Sequence, residues 1–374
     1  MKIAVLNSGS SSLKFKLFRG IELKEVVSAT VEEIGRDSRV KFAKNSKRVA
    51  IRDHLEALKF LESWLREDKI LESFRELDAV GHRVVHGGDS FDSAVVVDDE
   101  VKAKIRANFS LAPLHNPPNL AGIETLEKIA PDLKQVALFD TAFHQSLKSS
   151  SRHYALPKEW FENYGVKRYG FHGISCSYLL QESAKILKKE PKECNLIIAH
   201  LGNGASVTAV KSGKSIDTSM GLTPLEGLVM GSRCGDIDPS IVFYIQRELG
   251  VDFEEIERIL NQESGLVGLC KNSDMREIIR KKAQGSEDAK LAFEIFVERV
   301  AKYIGAYLTH FENLDAIIFS GGIGANSPEV QRAVLEKLAI FGVTANEVEN
   351  RLIKILVLPT NEELFIAQES LKFC

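Results

Sequence analysis

The sequence predicts an α/β protein built from two duplicated domains that face a shared cleft. Two observations support this fold class. Near the N-terminus an apolar run (3–6) is followed by a turn of glycine and serine (7–12) and by an alternating run (13–18), which is the pattern of a β-hairpin. The same order recurs at 196–210, where the glycine-rich turn 200–206 separates two apolar runs.

A third glycine-rich turn follows an apolar run near the C-terminus. Residues 316–319 are apolar, residues 320–326 read Ser-Gly-Gly-Ile-Gly-Ala-Asn, and a helix is predicted to begin near Pro328. Glycine lets backbone N–H groups approach an anion closely, because no side chain stands in the way. Such turns in two domains are suited to a chain of phosphates, and Lys14 adds positive charge beside the first turn.

The remaining elements are read from periodicity and from proline. Residues 51–69 carry leucines at helical spacing and predict a core-facing helix. Strands are predicted around Val80 and at 136–139, and prolines within 113–119 precede a helix at 120–130. No linker or low-complexity segment divides the chain, so the domain boundary is placed near residues 144–150.

Composition bounds the class of protein. The 374 residues suffice for about two domains. With 49 Lys and Arg against 52 Asp and Glu, the net charge of −3 argues against nucleic acid or an anionic membrane as a partner. No apolar run approaches a membrane span, and the one at the N-terminus is too short for a signal peptide. Five scattered cysteines predict reduced thiols and a cytoplasmic protein, with neither disulfides nor a zinc site.

Two familiar nucleotide motifs do not fit the glycine turns. A P-loop needs Gly-Lys-Ser/Thr at the start of a helix, whereas Lys14 follows Leu13 in a strand pattern. A dinucleotide fingerprint needs a third glycine after Gly322 and Gly324, and Ser327 occupies that place. The block 217–240 is rich in Gly, Pro and acidic residues yet interleaved with Leu and Met, which favours a shaped active-site loop over a linker.

Eight runs spread over nearly the whole chain are informative together. They are NSGSSSLK (7–14), HRVVHGG (82–88), HNPPN (115–119), FDTAFH (139–144), YGFHG (169–173), HLGNG (200–204), the block 217–240 and PTNEE (359–363). In content and order they resemble the acetate kinase (acetokinase) family of short-chain carboxylate kinases.

The resemblance implies a fold, an organisation and a reaction. The fold would be α/β, with two duplicated actin/hexokinase/Hsp70-like (ribonuclease H-like) domains facing a central cleft. The domains would comprise residues 1–146 plus 361–374, with a returning C-terminal helix, and residues 147–360, which bind the nucleotide. The family is usually homodimeric, and its reaction passes a phosphoryl group directly between ATP and acetate, giving ADP and acetyl phosphate.

The resemblance also implies a site for a short carboxylate. Arg83 would bind the carboxylate, because the planar guanidinium matches it geometrically. An apolar pocket for the methyl group would be formed by Val85, Leu114, Phe171 and Pro224.

Catalytic and metal-binding roles follow from the same resemblance. His172 and Arg233 would stabilise the transferring phosphoryl group, whose charge spreads over its equatorial oxygens. Asn7 and Glu362 would place Mg²⁺, with Mn²⁺ as an alternative. Asp140 is the third catalytic candidate; since acetate is already ionised near neutrality, we expect it to act through the metal or by orienting Arg233 and not as a base.

A larger set of residues is implied for binding ATP or ADP. They are Lys14, His200, Leu201, Gly202, Asn203, Gly204, Asp274, Met275, Arg276, Gly322, Ile323, Gly324, Ala325 and Asn326.

The chain departs from the family pattern at several positions near these residues. Ile174 and Cys176 stand where the family has Thr and His, Ala325 where it has Glu, and Ser232 where it has Thr. These changes bear on nucleotide preference and rate more than on reaction class. Two other readings stay open: a sister kinase for propionate or butyrate, and a non-enzymatic actin-like switch driven by ATP. The latter predicts neither a carboxylate-binding arginine nor the pair His172 and Arg233.

Overall fold

In the computed structural model, which describes residues 1–42, 45–343 and 353–374, the chain divides into two units. The first unit comprises Met1–Gln145 with Asn361–Cys374, and the second comprises Ser146–Thr360. Among the described residues, no helix combines the length and the apolar character that crossing a membrane requires.

The described residues form thirteen strands and fourteen helices, besides short 3₁₀ turns. The strands are β1 Lys2–Ser8, β2 Ser12–Arg19, β3 Lys24–Glu32, β4 Asp37–Phe42, β5 Asn45–Ala50, β6 Ala79–Val84, β7 Val95–Val96, β8 Gln135–Phe139, β9 Leu196–Leu201, β10 Ala205–Lys211, β11 Lys214–Thr218, β12 Ala316–Ser320 and β13 Lys354–Val357. The helices are α1 His54–Glu67, α2 Asp99–Ala107, α3 Asn116–Ile129, α4 Ser149–Arg152, α5 Lys158–Tyr164, α6 Gly173–Leu187, α7 Ser240–Leu249, α8 Phe253–Gln262, α9 Gly265–Cys270, α10 Met275–Ala283, α11 Glu287–Leu308, α12 Gly321–Gly324, α13 Pro328–Leu338 and α14 Glu362–Leu371.

Each unit contains one mixed sheet, and the two sheets share a pattern. The order is β5-β4-β3-β2-β1-β6-β8-β7 in the first unit and β11-β10-β9-β12-β13 in the second. In both, an antiparallel hairpin (β1–β2 or β9–β10) continues into two strands that run parallel to its first strand. The stretch β3-β2-β1-β6-β8 therefore matches the second sheet strand for strand, and the predicted duplication of an α/β unit is confirmed.

The predicted hairpin of the first unit has the expected faces. Leu13, Phe15 and Leu17 are buried while Lys14 is exposed, so the alternation of the sequence is the alternation of the sheet. The apolar face packs against α1, whose Leu58, Leu61, Trp64 and Leu65 lie in the same core. Burial of these apolar side chains is the main force that holds the sheet to the helix.

Two helices begin at places other than the sequence predicted, and each difference has a local cause. Helix α1 begins at His54 because the carboxylate of Asp53 accepts a hydrogen bond from Glu56 N at 2.8 Å and caps the first turn. Helix α3 begins at Asn116, four residues earlier than predicted, with prolines in its first turn. Proline lacks an N–H but loses nothing there, because the first N–H groups of a helix have no partner within it.

The buried His82 makes the stability of the first unit depend on pH. Burial in β6 lowers the pKa of His82 to about 4, against a smaller opposing effect of its hydrogen bond with Gln135. Between about pH 6.5 and pH 4 the unfolded chain therefore binds a proton that the folded chain does not, so the free energy of unfolding falls as the pH falls. The full loss across that window is about 3 kcal/mol.

We expect the free energy of unfolding of a His82→Asn variant to depend less steeply on pH between pH 4 and 6.5, because the variant lacks the buried imidazole. The measurement is urea unfolding at several pH values, followed by the fluorescence of buried Trp64 in a Trp160→Phe background. Equal pH slopes for the two proteins between pH 4 and 6.5 would contradict the prediction. Titration of the His82 ring by NMR in the protein with its natural histidine provides an independent value of the pKa.

Candidate active site

The ends of β6 and β8 bring a guanidinium and a carboxylate together. These strands are parallel neighbours, so Arg83 on β6 lies beside Asp140, the residue that follows β8. Arg83 donates from Nε to Asp140 Oδ1 at 3.1 Å and from Nη2 to Oδ2 at 2.6 Å. Glu362, the first residue of α14, adds a second carboxylate at 3.7 Å from Arg83 Nε. A two-bond pairing between guanidinium and carboxylate fixes both groups in one plane.

The charges in this cluster depend on one another. Burial lowers the pKa of Arg83, but the charges of Asp140 and Glu362 outweigh that effect and raise the pKa above its ordinary value. Burial raises the pKa of Asp140, and the positive charge and hydrogen bonds of Arg83 oppose the rise. The net effect leaves the pKa of Asp140 above its ordinary value, and its pairing with the permanently charged Arg83 is what limits the rise.

The loop after β6 is fixed by side-chain amides and a hydroxyl. Val85 N donates to Asn119 Oδ1 at 3.1 Å, and His86 N donates to Asn116 Oδ1 at 3.0 Å. Gly87 N donates to Thr141 Oγ1 at 3.0 Å. The asparagines lie in the run 115–119 and the threonine in the run 139–144, so the sequence marked these segments but not the hydrogen bonds that give them their shape.

The other residues predicted for this unit differ in exposure. Val85 is buried, whereas the side chain of Leu114 is 55% exposed. Asn7 on β1 and Lys14 on β2 are register partners across the first hairpin, which places them side by side next to its glycine-serine turn.

The charged groups of this region suit Mg²⁺. Among the described residues, no three His, Cys, Asp or Glu side chains are grouped as metal ligands. Mg²⁺ bound to nucleotides needs no such group, because it uses one or two carboxylates together with phosphates and waters. Two carboxylates, Asp140 and Glu362, accompany a single guanidinium in the Arg83 cluster, and that excess of negative charge fits a divalent cation.

In the second unit, His172 is held in an unusual backbone conformation. It precedes α6 with φ of 59°, a left-handed value that is uncommon for any residue but glycine. Its Nδ1 lies 3.0 Å from Ser206 Oγ, and its ring lies 4.4 Å from the ring of His200. Strain of this kind persists only where neighbouring contacts enforce it, and it is common at functional sites.

Two of the departures from the family pattern pack into the interior behind His172. Ile174 and Cys176 in α6 are both buried, and the thiol of Cys176 lies 3.6 Å from Thr208 Oγ1. Between them, Ser175 Oγ lies 2.8 Å from His200 Nδ1 and 2.7 Å from Thr360 Oγ1. His200 is therefore oriented by a hydroxyl that the family pattern retains.

Arg233 and His172 border the same glycine. A Cβ placed on Gly204 would lie 3.3 Å from His172 Nε2 and 3.6 Å from Arg233 Nη1. Arg233 Nη1 also donates to the carbonyl of Pro224 at 3.2 Å. Two cationic or potentially cationic side chains thus meet at the glycine turn between β9 and β10, as the proposed stabilisation of a phosphoryl group requires.

The block predicted as a shaped loop contains no helix between β11 and Pro239, yet its backbone is fixed. Gly231 N donates to Asn203 O at 2.9 Å, which joins the block to the turn 200–204. Asp236 Oδ1 accepts from Gly227 N at 2.7 Å, and Asp236 Oδ2 accepts from Tyr303 on α11 at 2.8 Å. Met220, Leu228 and Met230 are fully buried, which accounts for the apolar residues in the block.

A cavity of about 500 Å³ lies where three predicted nucleotide-binding segments meet. Its lining is Gly202, Asn203, Ser273, Asp274, Met275, Arg276, Gly322, Ile323, Asn326 and Ser327. Eight of these ten residues were predicted, and they are brought together because β9 and β12 are parallel neighbours. The N-cap of α10, Asp274, accepts from Arg276 N and binds its guanidinium, so this segment enters the cavity in a defined shape.

The remaining predicted nucleotide residues of this unit lie outside the cavity lining. Leu201 is fully buried, and a Cβ on Gly321, where φ is 77°, would lie 2.5 Å from its carbonyl oxygen. Gly321 therefore packs closely against Leu201, and a Cβ on Gly324 would lie 3.4 Å from the Leu201 Cβ. His200 and Gly204 face the His172 side, and Ala325 ends α12.

Gly322 offers a direct test of the cavity. A Cβ at this position meets no atom within 4 Å, so the fold has room for a side chain there. We expect Gly322→Leu to raise the KM for ATP at least tenfold, because the new side chain fills the cavity, and to leave the urea midpoint unchanged. Ala283→Leu, at an exposed position of α10, is the matched control. An unchanged KM for ATP in the Gly322 variant would argue against this cavity as the nucleotide site.

A cavity bounded by two glycine turns, with a histidine and an arginine at one of them, defines an enzyme that moves a phosphoryl group. The model of the acetokinase family matches residues 2–368. The chain belongs to this family, and its fold is the two-unit α/β fold of the acetate kinases.

Three relatives show the extent of the similarity. The acetate kinase of Sulfurovum sp. (strain NBC37-1) is 47% identical over 390 residues, covering 99% of this chain and 98% of the relative. A propionate kinase structure from Francisella tularensis subsp. tularensis SCHU S4 is 44% identical, with a TM-score of 0.93 and 99% of both chains covered. The Porphyromonas gingivalis acetate kinase structure is 36% identical, with a TM-score of 0.91 and 99% of both chains covered.

Proposed function

We propose that this protein is an acetate kinase that catalyses reversible transfer of the γ-phosphoryl group of ATP to acetate. The observation that carries the proposal is the meeting of His172 and Arg233 at Gly204, in the turn that also lines the cavity through Gly202 and Asn203. A nucleotide in that cavity has its phosphates next to two donors suited to an anionic transition state. Relatives named acetate kinase, such as that of Sulfurovum sp., support the choice of substrate.

The reaction needs no proton transfer at the acceptor. Acetate is ionised at neutral pH, so one carboxylate oxygen attacks the γ-phosphorus in line, a new P–O bond forms, and the bond to the β-phosphate bridging oxygen breaks. The products are acetyl phosphate and ADP. The residues therefore act by placing the two substrates and by stabilising charge, and Asp140 serves as the partner of Arg83 instead of as a base.

Arg83 is proposed to bind the acetate carboxylate. Its bonds to Asp140 use Nε and Nη2, and the N–H groups of Nη1 take no part in those bonds. Val85, Leu114, Phe171 and Pro224 are proposed as the apolar surroundings of the methyl group. A site that binds the carboxylate at one end and the methyl group at the other suits a substrate with one carboxylate and a very short chain.

Mg²⁺ is proposed as the metal, held by Asn7 and Glu362 together with the phosphates of the nucleotide. It would neutralise negative charge on the β- and γ-phosphates. Glu362 suits this role because its 3.7 Å contact with Arg83 is a loose ion pair, unlike the tight pairing of Asp140.

Propionate kinase is the second candidate, favoured by the solved propionate kinase from Francisella tularensis at 44% identity. One extra methylene in an apolar pocket changes binding by only about 1–3 kcal/mol. A comparison of kcat/KM for acetate, propionate and butyrate therefore distinguishes these substrates.

A homodimer is proposed from the exposed apolar side chains of one helix. Helix α7 has no buried residue in this chain, and Phe243, Tyr244 and Leu249 are each more than half exposed, as is Phe253 beside it. An apolar helix face of this kind supports a homodimer, which equilibrium sedimentation tests.

The domains are proposed as 1–146 plus 361–374 and 147–360, supported by the division of contacts after Gln145 and Thr360. A cytoplasmic location is supported by the five cysteines, which form no disulfide within the part of the chain that the structure describes.

The experiment that tests the function is hydroxylamine trapping of acyl phosphate. Purified protein, Mg²⁺ and ATP are incubated in turn with acetate, propionate and butyrate, and acyl hydroxamate is measured. We expect the highest kcat/KM with acetate. A preference for propionate would keep the mechanism and change the substrate, whereas absence of acyl hydroxamate with all three would overturn the proposed function.

A further inference from the structure

A cluster of three side chains joins the segment before His172 to the loop that carries Pro224 and Arg233. The Arg168 cluster consists of Arg168, Glu226 and Tyr154. Arg168 Nη2 donates to Glu226 Oε1 at 2.6 Å, and Tyr154 donates its O–H to the other oxygen of that carboxylate. The Tyr154 oxygen in turn accepts from Leu222 N at 2.9 Å.

The backbone reinforces the same connection. Arg168 Nη1 donates to three successive carbonyls, those of Thr218, Ser219 and Met220, at 2.8, 3.2 and 3.2 Å. Tyr169 N and Gly170 N both lie within hydrogen-bonding distance of Gly221 O, at 3.0 and 3.3 Å. Residues 168–170 and 218–222 are therefore joined by both side-chain and main-chain bonds.

At the centre of the cluster, Gly221 lies close to the Glu226 carboxylate and the Tyr154 hydroxyl. A Cβ on Gly221 would lie 1.6 Å from Glu226 Oε2 and 2.1 Å from Tyr154 Oη, so a side chain at this position would displace the carboxylate and the hydroxyl. The side chain of Arg168 is 16% exposed and that of Glu226 is 30% exposed. Burial lowers the pKa of Arg168, but the charge of Glu226 outweighs this and raises it, so the Arg168 guanidinium keeps its charge.

Each joined segment leads directly to proposed active-site residues. Phe171 and His172 follow residues 168–170, while Pro224 lies between Leu222 and Glu226. The carbonyl of Pro224 accepts a hydrogen bond from Arg233 Nη1, so this bond would pass a shift of the loop on to the guanidinium. A displacement of the loop therefore changes the separation of His172 and Arg233.

We infer that Arg168 and Glu226 are positioning residues for phosphoryl transfer, which set Pro224, and through it Arg233, in place relative to His172. The inference rests on the proposed function. Neither residue lines the nucleotide cavity, so they act on the transferring group and not on ATP binding.

The first test is Arg168→Met, measured by acyl hydroxamate formation. We expect kcat to fall about 10- to 100-fold, since a displacement of about 1 Å at a catalytic group has an effect of this size. The KM for ATP should stay within twofold. Arg106→Met, which removes an exposed ion-paired arginine of α2 in the first unit, is the matched control and should leave kcat unchanged.

A double variant separates positioning from general destabilisation. If Arg168 acts through Arg233, adding Arg168→Met to Arg233→Ala should change kcat by less than about threefold, because the residue being positioned is already missing. Should the two effects multiply, or should Arg168→Met alone leave kcat unchanged, the inference is overturned. Transfer from radiolabelled ATP supplies the sensitivity that these slow variants need.

Two milder variants keep the test decisive if Arg168→Met does not fold. Tyr154→Phe retains the ring but removes the O–H that binds Glu226 and the acceptor for Leu222 N. Glu226→Gln retains the shape but removes the charge opposite Arg168. We expect each to lower kcat three- to tenfold at unchanged KM for ATP, and normal kcat in both would refute the inference. Failure of the natural protein to form acyl phosphate would instead refute the proposed function.

Discussion

Arg233→Ala is expected to lower kcat for acetyl phosphate formation about 10³-fold. An arginine that neutralises charge on a transferring phosphoryl group contributes about 10³- to 10⁵-fold in comparable reactions. Arg233 Nη1 lies near Gly204, opposite His172 Nε2, and does not line the nucleotide cavity. The KM for ATP should therefore change by no more than about threefold.

The measurement is steady-state hydroxamate formation together with calorimetric ATP binding. Arg106→Ala serves as the control, because Arg106 lies on α2 in the first unit and its ion pair with Glu124 is exposed. Added guanidinium should partly restore activity to Arg233→Ala. A loss smaller than tenfold, with ATP binding unchanged, would show that Arg233 does not meet the phosphoryl group.

Arg83→Met is expected to reduce both stability and acetate binding. Asp140 has a side chain that is only 2% exposed, and removal of Arg83 would leave its charge buried without a partner. Breaking a buried ion pair in this way costs about 3–5 kcal/mol. The KM for acetate should rise more than tenfold because the carboxylate loses its guanidinium, while the KM for ATP should stay nearly constant.

The double variant Arg83→Met with Asp140→Asn distinguishes the two effects. It removes the unpaired charge, so at least half of the lost stability should return, but acetate binding should not. Urea unfolding followed through Trp64, which lies in the same unit, gives the stability. If the single variant unfolds within about 1 kcal/mol of the natural protein, the pair is not a buried ion pair in solution; if the acetate KM is unchanged, Arg83 does not bind the substrate.

Local patterns in the sequence were enough to predict the hairpins, the core-facing helix and the duplication. Each depends on side chains two to four residues apart, such as Leu13, Phe15 and Leu17 on one strand face. Spacing of this kind is fixed by the geometry of a strand or helix and needs no knowledge of the rest of the chain. The family resemblance rested on the same local runs, and the match over residues 2–368 confirms it.

The segments of the nucleotide cavity were also predicted, but only as separate runs. Their meeting depends on the parallel register of β9 and β12, in which Ser320 pairs with His200. A short run of residues is enough to predict a glycine turn. Which other turn lies beside it depends on which strands pair.

Partnerships between distant side chains were decided by tertiary structure alone. The metal or Arg233 was the expected partner of Asp140, yet its hydrogen bonds go to Arg83, 57 positions away. Arg168 and Glu226 are 58 positions apart, and nothing local to Arg168 marked it. The pKa of His82 likewise follows from burial in the sheet. The chain's own periodicity determines which face of an element is buried, but strand register and loop packing determine which charged groups meet, because those contacts arise only when separate elements come together.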